Sequence, residues 1–151
     1  MPEEEKDFGL GDIIVGNLRL TEIIGEGATG QVFLAEDVNM IAKKYAVKRL
    51  EKEQMEPIDF EDYKREIIFM KRLSGHPNIV QYINNFETVN FFYLVLEYCE
   101  TDLFDAIFLR CGFPVALVKR FFSDIANGLA FAHQNGIYHR DIKVSQKLTN
   151  Y

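Results

Sequence analysis

The sequence predicts an α+β fold, with a β-rich first part that carries one helix and a helical second part. Three observations point there. Two strand-forming runs, Leu18 to Gly25 and Val32 to Glu36, flank a Gly-rich turn. Apolar residues at Phe60, Tyr63, Ile67, Met70 and Leu73 recur at the 3-4 spacing of one helical face. After Glu97 the pattern changes from strand-like runs to helical stripes.

The elements follow in order. Met1 to Asp12 is acidic and Gly-containing without periodicity, and reads as a loosely ordered leader, so 1–17 precede the fold. The two runs around the glycines form a hairpin, and Tyr45 to Leu50 makes a third strand. Asp59 to Leu73 is an amphipathic helix, with Lys64, Arg65, Lys71 and Arg72 on its wet side and Ser74-Gly75 and Pro77 ending it. Ile79 to Phe86 and Phe91 to Glu97 are two further strands joined by a polar turn, which closes a first lobe at 18–97. Beyond a short hinge at Glu97 to Glu100, Asp102 to Arg110 and Pro114 to Asn135 read as helices. The second aligns Val118, Phe122, Ile125 and Leu129. Residues 98–143 therefore begin a second, helical lobe, and 144–151 form a tail.

Composition bounds the setting. At 151 residues, 48% hydrophobic and 26% charged, the chain is large enough for a buried core. A net charge of −6 with acids and bases interspersed argues against a nucleic-acid binder. The longest apolar runs are too short to cross a bilayer, and the N-terminal residues lack the basic and apolar regions of a signal peptide. Two cysteines, Cys99 and Cys111, form no C-x-x-C pair and no disulfide framework. A cytoplasmic or nuclear protein with no membrane or nucleic-acid partner is expected.

Gly25, Gly27 and Gly30 make the pattern G-E-G-A-T-G. Dinucleotide-binding folds use the same spacing, but they open a helix at the third glycine, whereas Gln31-Val32-Phe33-Leu34-Ala35 favours a strand. The loop therefore caps a hairpin. It is either an ordinary tight turn or a place where backbone N–H groups approach phosphate oxygens. Tyr45-Ala46-Val47-Lys48 puts a lysine among apolar neighbours, where an ammonium needs a phosphate or carboxylate. Glu66, one helical turn before the inward Met70, is the candidate partner; taken alone, each residue could simply face water. Tyr138-His139-Arg140-Asp141-Ile142-Lys143 follows the long helix and its Asn135-Gly136 stop.

With this last motif, and with His76-Pro77-Asn78-Ile79-Val80 after the first helix, the sequence from about Leu18 to Lys143 resembles the eukaryotic-type protein kinase family. The resemblance implies a kinase-like N-terminal lobe, an antiparallel sheet plus one helix, and the first helices of an incomplete α-helical C-terminal lobe. It implies ATP-dependent phosphorylation of protein hydroxyls. Gly25, Glu26, Gly27, Ala28, Thr29, Gly30 and Val32 would cover the ATP phosphates, with Val32 and Ala46 above adenine. Lys48 would hold the α- and β-phosphates and pair with Glu66. Leu96 would guard the back of the adenine pocket, and the backbone of Glu97 and Cys99 would bond adenine. Asp141 would accept the proton of the substrate hydroxyl. Lys143, where tyrosine kinases tend to carry alanine or arginine, implies the serine/threonine type.

The resemblance breaks after Lys143. Val144-Ser145-Gln146 puts a glutamine where the family has a magnesium-binding asparagine, and Lys147 to Tyr151 does not read as the apolar strand expected next. No D-F-G or A-P-E segment follows. Magnesium is expected for the family but its protein ligands are missing here, so the 151-residue chain is expected to be inactive alone. Phe121, Phe122, Ile125 and Leu129 are expected to be left exposed, open to a chaperone or a partner that covers 114–135. Two alternatives stay open: a catalytically dead nucleotide- or protein-binding regulatory module, and a product of intron retention, since Val144-Ser145 can be encoded as GTAAGT.

Overall fold

The computed structural model describes residues 7–27, 30–40, 42–105, 113–142 and 147–148. They fall into two compact units, one containing the residues up to Ile67 together with Tyr82–Tyr98, the other containing Ile68–Gln81 and the residues from Cys99 on.

The first unit is built on a six-stranded antiparallel sheet in the order β1-β2-β3-β4-β6-β5. Its strands are β1 (Ile13–Ile14), β2 (Leu18–Gly27), β3 (Gly30–Asp37), β4 (Lys44–Glu51), β5 (Tyr82–Glu87) and β6 (Phe91–Glu97). Side chains alternate across the sheet. One face gathers Leu18, Leu20, Phe33, Ala35, Tyr45, Val47, Tyr93 and Val95, all buried, into the larger core, which Phe8, Phe86 and Phe91 flank. The opposite face meets the first part of helix α1 (Pro57–Leu73), where Tyr63 and Phe60 pack on Phe92 with ring centroids 4.6 and 5.6 Å apart.

Helix α1 begins where the sequence provides its own stop for loose N–H groups. Pro57 needs no donor partner at the first helical position, and the Asp59 carboxylate accepts from the Glu56 N–H at 2.8 Å. Tyr63, Ile67 and Leu73 are buried, as the spacing predicts. Gly75, at φ +95°, takes the left-handed conformation that ends the helix.

In the second unit, helix α2 (Val115–Gln134) ends in a complete Schellman motif. The Gly136 N–H donates to His133 O at 2.9 Å and the Ile137 N–H to Ala132 O at 2.9 Å, with Gly136 at φ +73°. Ile137, Ala132 and Leu73 form the core here, and Phe131 stacks on His76 at 4.7 Å. Gly128 lets this helix approach closely: a Cβ there would lie 2.7 Å from Asn78 O. Gly128→Ala should therefore cost about 1–3 kcal/mol by overpacking, although alanine gains about 1 kcal/mol in helix propensity. Thermal unfolding checks this, and a midpoint that rises would refute it.

Several expectations change. The strand expected over Ile79 to Phe86 begins only at Tyr82. Gln81 is the reason, because its side chain closes the turn, donating to His76 O and Ile79 O and accepting from the Gly75 N–H. Of the helix expected over 102–110, only 102–105 are described: Asp102 lies in a strand and 103–105 are helical. The tail is not devoid of strand: Lys147–Leu148 pairs antiparallel with Thr101–Asp102, forming β8 and β7. On α2, only Phe122 of the four residues expected to be exposed is fully so; Phe121, Ile125 and Leu129 are half-buried. Phe121 packs edge-on against Phe113 at 5.2 Å, so Phe121 replaces Phe122 on the packed side, while Val118, Ile125 and Leu129 of the expected stripe are half-buried.

The leader is also different over 7–12. Phe8 lies edge-on to Phe86 and Tyr93, each at 6.0 Å. Asp7 accepts from Thr88 Oγ1 at 2.6 Å and Asn90 Nδ2 at 2.7 Å, gripping both sides of the β5–β6 turn. Burial works against the Asp7 charge, but these two hydrogen bonds and the Arg49 and Lys52 charges hold its pKa below the ordinary carboxylate value. A lowered folded pKa contributes stability above the unfolded value of about 3.9 and loses it as pH falls through the folded value. Asp7→Asn should therefore unfold at a slightly lower temperature than the parent near pH 6, and the gap should close under acid. Melting curves from pH 6 down to pH 2.5 would show it, and a gap independent of pH would count against this account.

Candidate functional site: a lysine–glutamate pair beside a glycine hairpin

Strand register explains how distant residues come together. Gly25 pairs with Val32, Val32 with Lys48 and Lys48 with Leu94, forming one cross-strand row. Ala46 pairs with Leu96 two positions along β4. Alternation then puts Val32, Ala46, Lys48 and Leu96 on the face that α1 approaches, away from the larger core. Glu97 pairs with Tyr45 at the end of β6.

Lys48 reaches Glu66 on α1, with Nζ 2.9 Å from Oε2 and 3.2 Å from Oε1. The pair is partly open, its side chains 34% and 40% exposed. It therefore binds the helix only weakly to the sheet, while leaving an ammonium held in place and reachable from solvent. A cavity of about 170 Å³ beside it is lined by Lys48, Leu50, Met55, Asp59, Asp62, Tyr63 and Glu66. Burial, helped by the charges of Glu66 and Glu87, pushes the Tyr63 phenol well above its usual pKa, so it stays neutral.

The three glycines differ. A Cβ on Gly30 would stand 2.0 Å from Arg49 O, so β4 packs there only against glycine. On Gly25 it would meet Val32 at an ordinary 3.5 Å, and on Gly27 its nearest neighbour would be Gly30 O at 3.9 Å. Neither has a positive φ. Of the three, the fold requires only Gly30; Gly25 is half-buried and Gly27 exposed. Ala28 and Thr29 lie outside the described residues.

In the second unit, the Schellman turn delivers the chain to His139-Arg140-Asp141. Tyr138 packs on His133 at 4.9 Å, and the Asp141 N–H donates to His139 Nδ1 at 3.2 Å. Arg140 is left-handed at φ 63°, a conformation that costs a non-glycine residue of order 1–3 kcal/mol and tends to gather at functional loops. Asp141 is exposed and Cys99 buried. Lys143 lies outside the described residues.

Sequence reading missed a second cross-strand row on the other face. Glu26, Gln31, Arg49, Tyr93 and Phe86 are successive register partners across five strands. Only Tyr93 and Phe86 carry an apolar signal, and pairing of such distant positions leaves none in local periodicity.

The sheet face that α1 approaches holds a helix-anchored lysine in one cross-strand row with Gly25 and Val32, and comparison with known proteins specifies the family. The profile described as "Protein kinase domain" matches residues 18–150, and the chain belongs to that family. It is 35% identical over 146 residues to the "Negative regulator of sexual conjugation and meiosis" of Schizosaccharomyces pombe, covering 95% of this chain and 31% of that protein. It is 33% identical over 144 residues to "CDPK-related kinase 4" of Arabidopsis thaliana, covering 92% and 24%. To "Serine/threonine-protein kinase chk-1" of Caenorhabditis elegans it is 32% identical over 128 residues, covering 83% and 25%. The chain thus spans a quarter to a third of the length of these relatives.

Proposed function

We propose that this chain supplies the ATP-holding and hydroxyl-activating residues of a kinase that phosphorylates serine and threonine in proteins. The observation that carries this reading is the partly exposed Lys48–Glu66 pair, at 2.9 Å, on the same sheet face as Val32, Ala46 and Leu96. Membership of the protein kinase domain family supports it, as does a relative named as a serine/threonine kinase.

Lys48 would donate to the α- and β-phosphates, held in register by Glu66. The N–H groups around Gly25 and Gly27 would cover the phosphates where no side chain intervenes. Val32, Ala46 and Leu96 would contact adenine, and the backbone of Glu97 and Cys99 would bond its edge. Asp141 would take the proton of the attacking hydroxyl as the bond from the γ-phosphorus to the bridging oxygen breaks and a new bond to the substrate oxygen forms. Among the described residues no three His, Cys, Asp or Glu side chains gather as metal ligands.

One observation favours a second reading. Gln146 stands at the family's metal-binding asparagine, which suits a module that binds nucleotide or protein without transferring phosphate. Transfer of the ATP γ-phosphate to a generic protein substrate, measured beside a nucleotide titration with and without magnesium, separates them. Transfer supports the kinase reading; binding without transfer favours the inactive module; absence of both overturns both.

A further inference from the structure

We infer that Phe8 and Arg49 form a strap that holds the glycine hairpin in place from the far face of the sheet, with Arg49 and Gln31 as positioning residues. The row Glu26, Gln31, Arg49, Tyr93 and Phe86 crosses five strands. Phe8 closes one end of it. Its N–H donates to Tyr93 Oη at 3.0 Å, its carbonyl accepts from Arg49 Nη1 at 2.8 Å, and its ring lies on Phe86 and Tyr93.

The chemistry gives the row a direction. Arg49 is a donor only, and its flat guanidinium is fixed between Phe33 and Phe91, 4.9 and 4.6 Å from their ring centres. Its second arm donates to Gln31 Oε1 at 2.5 Å. With its oxygen so occupied, the Gln31 amide must turn its NH₂ outward, where Nε2 donates to Glu26 Oε1 at 2.8 Å. Donor-only arginine, two-sided glutamine and acceptor-only glutamate fit in one order alone. Glu26 and Gln31 are the last pair but one before the turn, with Gly27 facing Gly30 beyond them. Docking of Phe8 thus fixes the arginine fork, the fork fixes the amide, and the amide ties the two arms of the hairpin together. The role for nucleotide rests on the proposed function, in which this hairpin covers the phosphates; the mechanical link does not.

Amide hydrogen exchange of the chain without nucleotide tests the link, comparing the parent with Phe8→Ala, Gln31→Glu and the double variant. Rates at Glu26, Gly27, Gly30 and Gln31 are read against Val95 in the core. Gln31→Glu keeps the Arg49 contact and sets two carboxylates against each other at Glu26. Each single change should speed hairpin exchange roughly three- to tenfold, the worth of about one hydrogen bond. The double variant should be no faster than Gln31→Glu alone. Arg49→Lys, which keeps the charge but cannot fork to both Phe8 and Gln31, should match Gln31→Glu and stands in should Phe8→Ala not fold. Hairpin rates unmoved by Phe8→Ala, additive effects in the double variant, or full protection with lysine at 49 would overturn the proposal. Failure of nucleotide to bind would leave these rates untouched and bear on the proposed function alone.

Discussion

Replacing Lys48 with methionine is expected to weaken nucleotide binding by roughly 10- to 100-fold and to leave thermal stability almost unchanged. The affinity loss follows from removing a charge-assisted hydrogen bond to phosphate, worth about 1.5–3 kcal/mol. The small stability effect follows from exposure. With side chains 34% and 40% open, the Lys48–Glu66 pair belongs with surface ion pairs, whose net contribution is about 0–1 kcal/mol. Methionine also keeps most of the apolar stem. Glu66→Gln should fall between the two, retaining an acceptor for the ammonium but not its charge. Titration with a fluorescent ATP analogue, alongside melting curves, measures both quantities. Undiminished affinity in the methionine variant would remove Lys48 from the site.

Gly30→Ala should produce the largest loss of stability, about 3 kcal/mol or more, because its Cβ would fall 2.0 Å from Arg49 O on the neighbouring strand and backbone must move. In a domain of this size that lowers the unfolding midpoint by roughly 5–12 °C. Gly25→Ala and Gly27→Ala should behave in the opposite way. Their added methyl groups meet nothing closer than 3.5 and 3.9 Å, so stability should hold to within about 0.5 kcal/mol. Nucleotide affinity should nonetheless fall, since the new side chains occupy space left open over the backbone. One motif thus separates into a glycine required by the sheet and two that the sheet does not require. Equal melting points for all three variants would refute that division.

Much of the first unit was legible from residue order. The hairpin arms, the third strand, α1 and β6 follow from local composition and spacing, and Lys48 and Glu66 could be paired because strand and helix periodicity each face them toward the other. What stayed hidden depends on contacts between residues far apart in sequence. The strand expected from Ile79 loses its first three positions because the Gln81 amide satisfies the turn instead of the ladder. The 7–12 segment looked featureless, since its one aromatic, Phe8, gains meaning only against Phe86 and Tyr93. On α2 the stripe differs from expectation at one position, because Phe121 and Phe122 are equally apolar and only packing against Phe113 selects the first. Gly128, an ordinary helix-weakening residue by propensity, is explained by the Asn78 carbonyl it admits.

The Phe8 contact also gives the protein an optical signature. The chain contains seven tyrosines and no tryptophan, so its near-ultraviolet absorption and its fluorescence come chiefly from phenol rings. Tyr93 is fully buried, stacks on Phe86 at an interplanar angle of 4°, and has its hydroxyl bonded to Phe8. Lifting residues 7 and 8 from the sheet would wet that ring and free its hydroxyl, shifting a tyrosine band and reducing its circular dichroism with the backbone signal unchanged. A tryptophan placed at Phe8 would be the only indole in the molecule, a built-in lamp for following the same event in real time.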